Sequence, residues 1–433
     1  MQVEAWLTRA ARRRPDRIAV ETLERALTYR ELDRLAGSGA RELGAAPGSR
    51  VGIALAPGLE FVVALHACLR AGAVAVPIDL RDPGALAGAG CDTVIDTGLA
   101  CTGPPVAERP HELSATAVIV RTSGTSGEAK LVPLTYGNCV WSAIGSAVAL
   151  GFDPGERWLC TLPLVHVGGL SIVLRSAIYG TTAVVHERFE TAAALEALME
   201  RRITLVSVVA TTLRRMLDAG LAAPPALRCA LAGGGPVPSS LLESARAAGV
   251  VVSQTYGLTE ACSQVATQAP GDGAHNAGAP LFCTRVALAA DGEILVSGPT
   301  VSPALEGGVL ATGDLGELGA DGTLRVLGRR SDTIISGGEN VSPSEVEAVL
   351  EAHPAVLEAG VFGVPDERWG EAVHALVVSA REVGEAELLA HCARALAGYK
   401  VPKRIGFAAR LPRTASGKLQ RGRLAVDGAR ARS

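Results

Sequence analysis

The sequence reads as an α/β protein. A large N-terminal domain of mixed α/β sheets with a small β-barrel-like part is followed by a small α+β C-terminal domain. Three observations lead there. Apolar strand-like runs alternate with helical patterns through the first two thirds of the chain. From about Phe282 the texture changes to short strands around Asp-Gly steps. A strand–helix unit of about 100 residues, large enough to hold its own core, closes the sequence. At 433 residues the chain exceeds what a single simple core organises.

The elements follow in order. Residues 32–43 and 60–71 have helical apolar spacing, and residues 50–55 and 73–78 are strand-like. Residues 117–120 form an apolar strand. The alternation continues through 201–209 and 227–231, a helix at 239–248 and a strand at 250–253. Alternation of this kind predicts a largely parallel sheet covered by helices. Strands 285–288 and 293–297 flank Asp291-Gly292, and strands 315–318 and 323–327 flank Asp321-Gly322. Both steps are hairpin signals and predict a small antiparallel barrel or sheet. The last unit carries helices at 344–351 and 385–396 and strands at 359–364 and 372–378. The polar run Arg329 to Asp332 is the linker candidate, dividing a domain 1–328 from a domain 329–433.

Composition excludes several functions. Hydrophobic residues at 48% and charged residues at 20% place the chain among core-forming proteins. The net charge of −3, from 41 basic and 44 acidic residues, gives no general field for nucleic acid or an anionic membrane. Any phosphate binding must therefore be local. No run of eighteen apolar residues is present, so no membrane span is expected. The N-terminal segment is amphipathic and charged, unlike a signal peptide. Nine cysteines are scattered singly without a C-x-x-C pair, which disfavours disulfides and zinc and fits a reducing cytoplasm.

The densest motif is Thr122-Ser123-Gly124-Thr125-Ser126-Gly127-Glu128-Ala129-Lys130, directly after the strand 117–120. Glycines let backbone N–H groups turn onto an anion, hydroxyls add donors and the lysine adds a charge. This is a phosphate-holding loop, although it lacks the Walker order. Alone it is equally a Ser/Gly linker. Gly233-Gly234-Gly235 follows a strand and offers bare backbone to a flat ligand. Tyr256-Gly257-Leu258-Thr259-Glu260 follows the strand ending near Ser253. It combines a stacking ring, a hydroxyl and a carboxylate suited to Mg²⁺, which takes oxygen ligands shared with phosphates. Asp314, in a turn before a strand, is a candidate acceptor for a ribose diol. Lys418 lies on a Gly-hinged C-terminal loop.

In order and spacing these segments, with the run Gly328 to Glu347, resemble the adenylate-forming superfamily of acyl-CoA synthetases, luciferases and peptide-synthetase adenylation domains. The resemblance covers essentially the whole chain. It implies that a carboxylate attacks the α-phosphate of ATP, with Mg²⁺, to give an acyl-adenylate and pyrophosphate, and that coenzyme A then displaces AMP. By resemblance Thr122, Ser123, Gly124, Thr125, Ser126, Gly127 and Lys130 hold the β- and γ-phosphates. Gly233, Gly234, Gly235 and Tyr256 frame adenine, Thr259 touches the reacting groups and Glu260 binds the metal. Asp314 holds the ribose, Arg329 assists at the hinge and Lys418 bridges the α-phosphate and carboxylate. The mobile C-terminal domain would then swing, replacing Lys418 with Gly337 and Gly338 beside a coenzyme A tunnel. The sequence departs in being short between residues 100 and 116 and between 299 and 311. The pivot falls at Ser331 or Asp332.

The acyl pocket is expected around residues 162–170 and the helix 171–179. His166 lines it near the reacting centre by resemblance, or packs as a satisfied core residue. Arg175 is the one charge on that apolar helix. It either pairs with a carboxylate elsewhere in the protein or receives a second carboxylate of the substrate. No acid between 162 and 179 awaits an amino-acid ammonium group. Within the superfamily, the runs 231–238 and 254–264 look most like the o-succinylbenzoate–CoA ligases of menaquinone synthesis, whose substrate has two carboxylates. Ser263 and Gln264 are further candidates for the aryl carboxylate. The alternatives are another aryl- or medium-chain acyl-CoA ligase, a carrier-protein-loading enzyme and a non-catalytic nucleotide-binding protein. The expected partners are a small carboxylic acid, ATP and coenzyme A, with neither nucleic acid nor membrane, in a chain that could form a homo-oligomer.

Overall fold

The structure, a computed structural model, describes residues 1–82, 84–123, 129–413 and 419–424. Two mixed sheets form the body of the large domain. The first has five strands in the order Thr93–Ile95, Arg50–Ile53, Val74–Pro77, Thr116–Ser123, Ala129–Thr135. Its first four strands are parallel, and the last closes an antiparallel hairpin. The second sheet has nine strands. Its parallel centre includes Arg157–Cys160, Leu205–Val208, Cys229–Ala232 and the start of Val252–Leu258. The strands Leu205–Val208 and Cys229–Ala232 are buried along their whole length. Both faces are covered, which is why these strands read as short, mostly apolar runs, with Ser207 the one polar residue.

Helices Tyr29–Leu43, Leu59–Ala71 and Val167–Tyr179 contribute to one core between the sheets, with Phe61, Leu65, Leu170 and Trp158 at its centre. Helix Tyr29–Leu43 begins with a capping box. The Thr28 hydroxyl accepts from the Glu31 N–H, and the Glu31 carboxylate accepts from the Thr28 N–H. Strands Arg285–Leu288, Glu293–Ser297, Val309–Leu318 and Leu324–Arg329 form an antiparallel half-barrel with open edges. The C-terminal unit is a five-stranded sheet covered by helices Pro343–Glu351 and Glu385–Ala395.

Two local expectations change. The strand expected to stop near Ser253 runs from Val252 to Leu258, so Tyr256 is on a strand and not on a loop. It continues because Ser263–Thr267 folds back as an antiparallel partner, with Tyr256 opposite Ala266. Asp314 likewise lies inside the strand Val309–Leu318, opposite Arg329, and not in a turn ahead of it. The ladder with Leu324–Arg329 extends the strand past the short apolar run that marks it in the sequence. Arg329 ends that partner strand, and Arg330–Asp332 forms a single 3₁₀ turn.

Candidate active site

The carboxyl ends of the parallel strands open into a cavity of about 910 Å³. Its walls include Ser207, Val208 and Leu231 from the strand ends, and Gly233, Gly234 and Thr255 just beyond. Open α/β sheets bind ligands at this edge. The half-barrel closes the far side with Thr312, Gly313 and Arg329.

Thr122 and Lys130 face each other across the hairpin Thr116–Ser123/Ala129–Thr135, and both line the cavity. Gly124, Thr125, Ser126 and Gly127 lie outside the described residues, as does Lys418. Ser123 is described only as the end of its strand. Arg121, absent from the sequence-derived set, also lines the cavity and pairs with Asp82.

Gly233 and Gly234 face the cavity, whereas Gly235 is not among its lining residues. Thr259 and Glu260 sit on a 3₁₀ turn at the end of Val252–Leu258, and both line the cavity. Gly257 makes that turn possible, because a Cβ there would lie 1.8 Å from the Ser263 carbonyl oxygen. The returning segment is itself unusual. Cys262 and Ser263 both have left-handed backbone, with φ of 54° and 94°. Such strain gathers where a loop must aim side chains at a ligand, and Ser263 and Gln264 both line the cavity.

Asp314 is buried, and each of its oxygens has a partner. Tyr256 donates its hydroxyl to Oδ2 at 2.7 Å, and Arg329 Nε lies 2.9 Å from Oδ1. Burial and the neighbouring Asp314 push the Tyr256 hydroxyl pKa up, so it stays a donor. Arg329 also donates to the Thr312 carbonyl at 3.1 Å. Neither Tyr256 nor Asp314 is itself among the lining residues; the pair lies behind Arg329 and Gly313, which are. Gly337 and Gly338 occupy the turn between strands Ile334–Ser336 and Glu339–Val341 with φ of 64° and 84°, away from the cavity wall.

His166 immediately precedes helix Val167–Tyr179 and lines the cavity. Two turns further in, Arg175 forms part of the floor at 2% exposure. One nitrogen donates to Ser142 Oγ at 2.9 Å, and Ser142 donates to the Cys262 carbonyl at 2.6 Å. Arg175 Nε has no hydrogen-bond partner, and no carboxylate oxygen of the described residues lies within 4.0 Å of the guanidinium. The Trp158 ring lies 5.8 Å away, and burial lowers the Arg175 pKa. The buried Gln264, which also lines the cavity, donates to Thr267 at 2.8 Å, while its Oε1 has no partner. A buried guanidinium with a donor left over, and no acid beside it among the described residues, suits an anionic ligand.

A metal can be held here only sparingly. Among the described residues no group of three or more His, Cys, Asp or Glu side chains forms a cage. Two carboxylates line the cavity; Glu293 is taken up by the Gly313 N–H and Arg330, whereas Glu260 lies beside the Thr259 hydroxyl, which fits Mg²⁺ bound partly by phosphates and water.

Comparison with known proteins agrees with this geometry. The AMP-binding enzyme family matches residues 7–89 and 85–305, and the AMP-binding enzyme C-terminal domain matches residues 345–418. The chain is 39% identical to the 2-succinylbenzoate–CoA ligase of Bacillus licheniformis, over 97% of this chain and 98% of that one. It is 41% identical to the enzyme of the same name from Geobacillus kaustophilus, over 96% of each. Among solved structures it is similar to o-succinylbenzoate coenzyme A synthetase (MenE) from Bacillus subtilis in complex with ATP and magnesium ion. That match has a TM-score of 0.90 at 36% identity, covering 98% of this chain and 100% of that one. The same enzyme with the acyl-adenylate intermediate OSB-AMP matches with a TM-score of 0.88, covering 98% of each chain. The two-domain α/β fold, the cavity at the strand ends and these matches place the chain in the AMP-binding enzyme family.

Proposed function

We propose that the chain is an AMP-forming acid–thiol ligase that joins 2-succinylbenzoate to coenzyme A through an acyl-adenylate, as in menaquinone synthesis. The observation that carries the substrate choice is the buried Arg175 in the cavity wall, with no acidic partner among the described residues. A dicarboxylate leaves one anion unreacted, and a guanidinium fork is the side chain that best receives it. Gln264 and Ser263 complete that end of the pocket.

The reaction needs positioning and charge stabilisation more than a covalent nucleophile. The substrate carboxylate attacks the α-phosphorus of ATP and pyrophosphate leaves. The coenzyme A thiol then attacks the acyl carbon and AMP leaves. Thr122, Lys130 and the loop between them hold the β- and γ-phosphates. Thr259 and His166 border the reacting carboxylate. Glu260 would hold Mg²⁺, which supplies positive charge against the phosphates. Gly233, Gly234 and Gly235 flank the adenine, and Asp314 receives the ribose. A carboxylate offers about four acceptor sites, so Asp314 can keep Tyr256 and Arg329 while accepting a diol. Lys418 is assigned to the α-phosphate during adenylation, and Gly337 with Gly338 to the thioester step.

Ion pairs on either side of Ser331 favour a division between the units at that residue, three positions past 328. Arg330 pairs with Asp291 at 2.5 Å and with Glu293 at 3.0 Å, both on the half-barrel. Asp332 pairs with Arg421 of the C-terminal unit at 3.0 Å. Ser331, between two anchored neighbours, is the residue we assign as pivot. The described structure has no helix long and apolar enough to cross a membrane, and all nine cysteines are free thiols. Free thiols support a reducing cytoplasm.

A panel of carboxylic acids scored by pyrophosphate release with ATP, Mg²⁺ and coenzyme A tests the assignment. 2-Succinylbenzoate should lead the panel. Preference for benzoate or a fatty acid would move the chain to another acyl-CoA ligase.

A further inference from the structure

Helix Tyr136–Leu150 packs beside helix Val167–Tyr179 and contains no charged residue. It is firmly placed. Thr135 and Asn138 form a capping box at its start, and Asn138 donates to the Pro299 and Val301 carbonyls at 2.8 and 3.0 Å. Ser142 lies four residues on, along the same helix face, and is buried.

Ser142 is the one described side chain that hydrogen-bonds the Arg175 guanidinium, accepting from it at 2.9 Å. A serine hydroxyl has a single proton. The Cys262 carbonyl takes that proton at 2.6 Å. This carbonyl is itself held in place. The Cys262 N–H closes the 3₁₀ turn onto the Thr259 carbonyl at 2.9 Å, and the Cys262 backbone is left-handed with φ of 54°. Only lone pairs of the hydroxyl are left to face Arg175. The contact therefore orients the guanidinium, beside the Trp158 ring, without cancelling its charge. An aspartate at the same place would orient it too, but would also neutralise it.

We infer that Ser142 is a specificity-determining positioning residue, a neutral hydroxyl that aims Arg175 and keeps its charge for the second carboxylate of the substrate. The inference rests on the dicarboxylate ligase reading proposed above. A guanidinium held by a neutral partner gains an anion when the dicarboxylate binds. One already paired with an internal acid gains nothing, and the internal acid repels the ligand.

The test compares wild type with Ser142→Asp, Ser142→Ala and Ser142→Thr. A void of about 10 Å³ lined by Ser142, Cys139 and Arg175 leaves the larger side chains some room. Pyrophosphate release is measured on 2-succinylbenzoate and on 4-oxo-4-phenylbutanoate, the same acid without its aryl carboxylate. Ser142→Asp should lower kcat/KM for the dicarboxylate by on the order of 100-fold, through like charges, and leave the monoacid within about threefold, with the KM for ATP unmoved. Ser142→Ala should lose about tenfold on the dicarboxylate, and Ser142→Thr should restore it to within about threefold. In an Arg175→Met background none of the three should change the ratio of the two acids, because the partner they act through is gone. Equal loss on both acids, in chains that keep the wild-type circular dichroism, overturns the inference. So does a Ser142→Asp chain that retains the wild-type preference. Where Ser142→Asp does not fold, the same ratio in Ser142→Ala against Ser142→Thr decides. A wild type without preference for the dicarboxylate would overturn the substrate assignment itself, and the inference with it.

Discussion

Replacing Arg175 by methionine should have opposite effects on stability and on catalysis. The guanidinium is 2% exposed, donates to the neutral Ser142 at 2.9 Å and leaves Nε without a partner. An arginine stays charged even when burial lowers its pKa, so the protein carries a buried charge with no matching acid among the described residues. Methionine fills similar space without that penalty. Replacing buried charge with apolar bulk is neutral or stabilising by about 1–4 kcal/mol. The melting temperature should therefore hold or rise. Turnover of 2-succinylbenzoate should fall by roughly 2–4 kcal/mol in transition-state binding, about 30- to 900-fold in kcat/KM. An analogue lacking the aryl carboxylate should react poorly with wild type and be little changed by the substitution. The assays are a thermal melt and pyrophosphate release on both acids. A lower melting temperature together with equal loss on both acids would show that Arg175 serves the fold, and the dicarboxylate argument would fail.

Three further outcomes are expected. Lys418→Ala should slow adenylation by roughly 10²–10³-fold and spare thioester formation from pre-made acyl-adenylate, checked by running the half-reactions separately; equal damage to both would contradict its assignment. Ser331→Pro should restrict the proposed pivot and change the ratio of the two half-reaction rates, since proline fixes φ near −65°; an unchanged ratio would place the pivot elsewhere. Acid should destabilise the fold through His66 and His111, whose pKa values burial lowers to about 4 and about 3. The unfolded chain takes up these protons below about pH 6.5 and the folded chain does not. Stability should then fall from there toward pH 4, by about 2 kcal/mol per histidine at pH 5. A His66→Gln variant with the same acid sensitivity in urea titrations would remove His66 from that explanation.

Much of the fold was legible because its signals are local. Fully buried parallel strands such as Cys229–Ala232 read as short apolar runs, and the helix Tyr29–Leu43 announces its start with Thr28 and Glu31. What escaped depends on distant partners. Val252–Leu258 outruns its apolar stretch because Ser263–Thr267 pairs with it, and Asp314 becomes a strand residue because Arg329 lies opposite. The site divides the same way. Glycines and hydroxyls next to strand ends marked the nucleotide side. Arg175 stood out as the lone charge on an apolar helix, but the absence of an acid beside it became visible only once Ser142 and Cys262 were packed against it. Arg121 and Arg330 carry no local signal, since ordinary surface arginines look the same until the fold brings them to the cavity.

The central claim is AMP-forming ligation of a dicarboxylic acid. Phosphorus NMR of a reaction containing ATP, Mg²⁺, coenzyme A and 2-succinylbenzoate, followed alongside thioester absorbance, tests it directly. The account predicts AMP, pyrophosphate and thioester in equal amounts, with AMP production dependent on the acid. ADP and inorganic phosphate as products, or AMP released at the same rate without the acid, would contradict it.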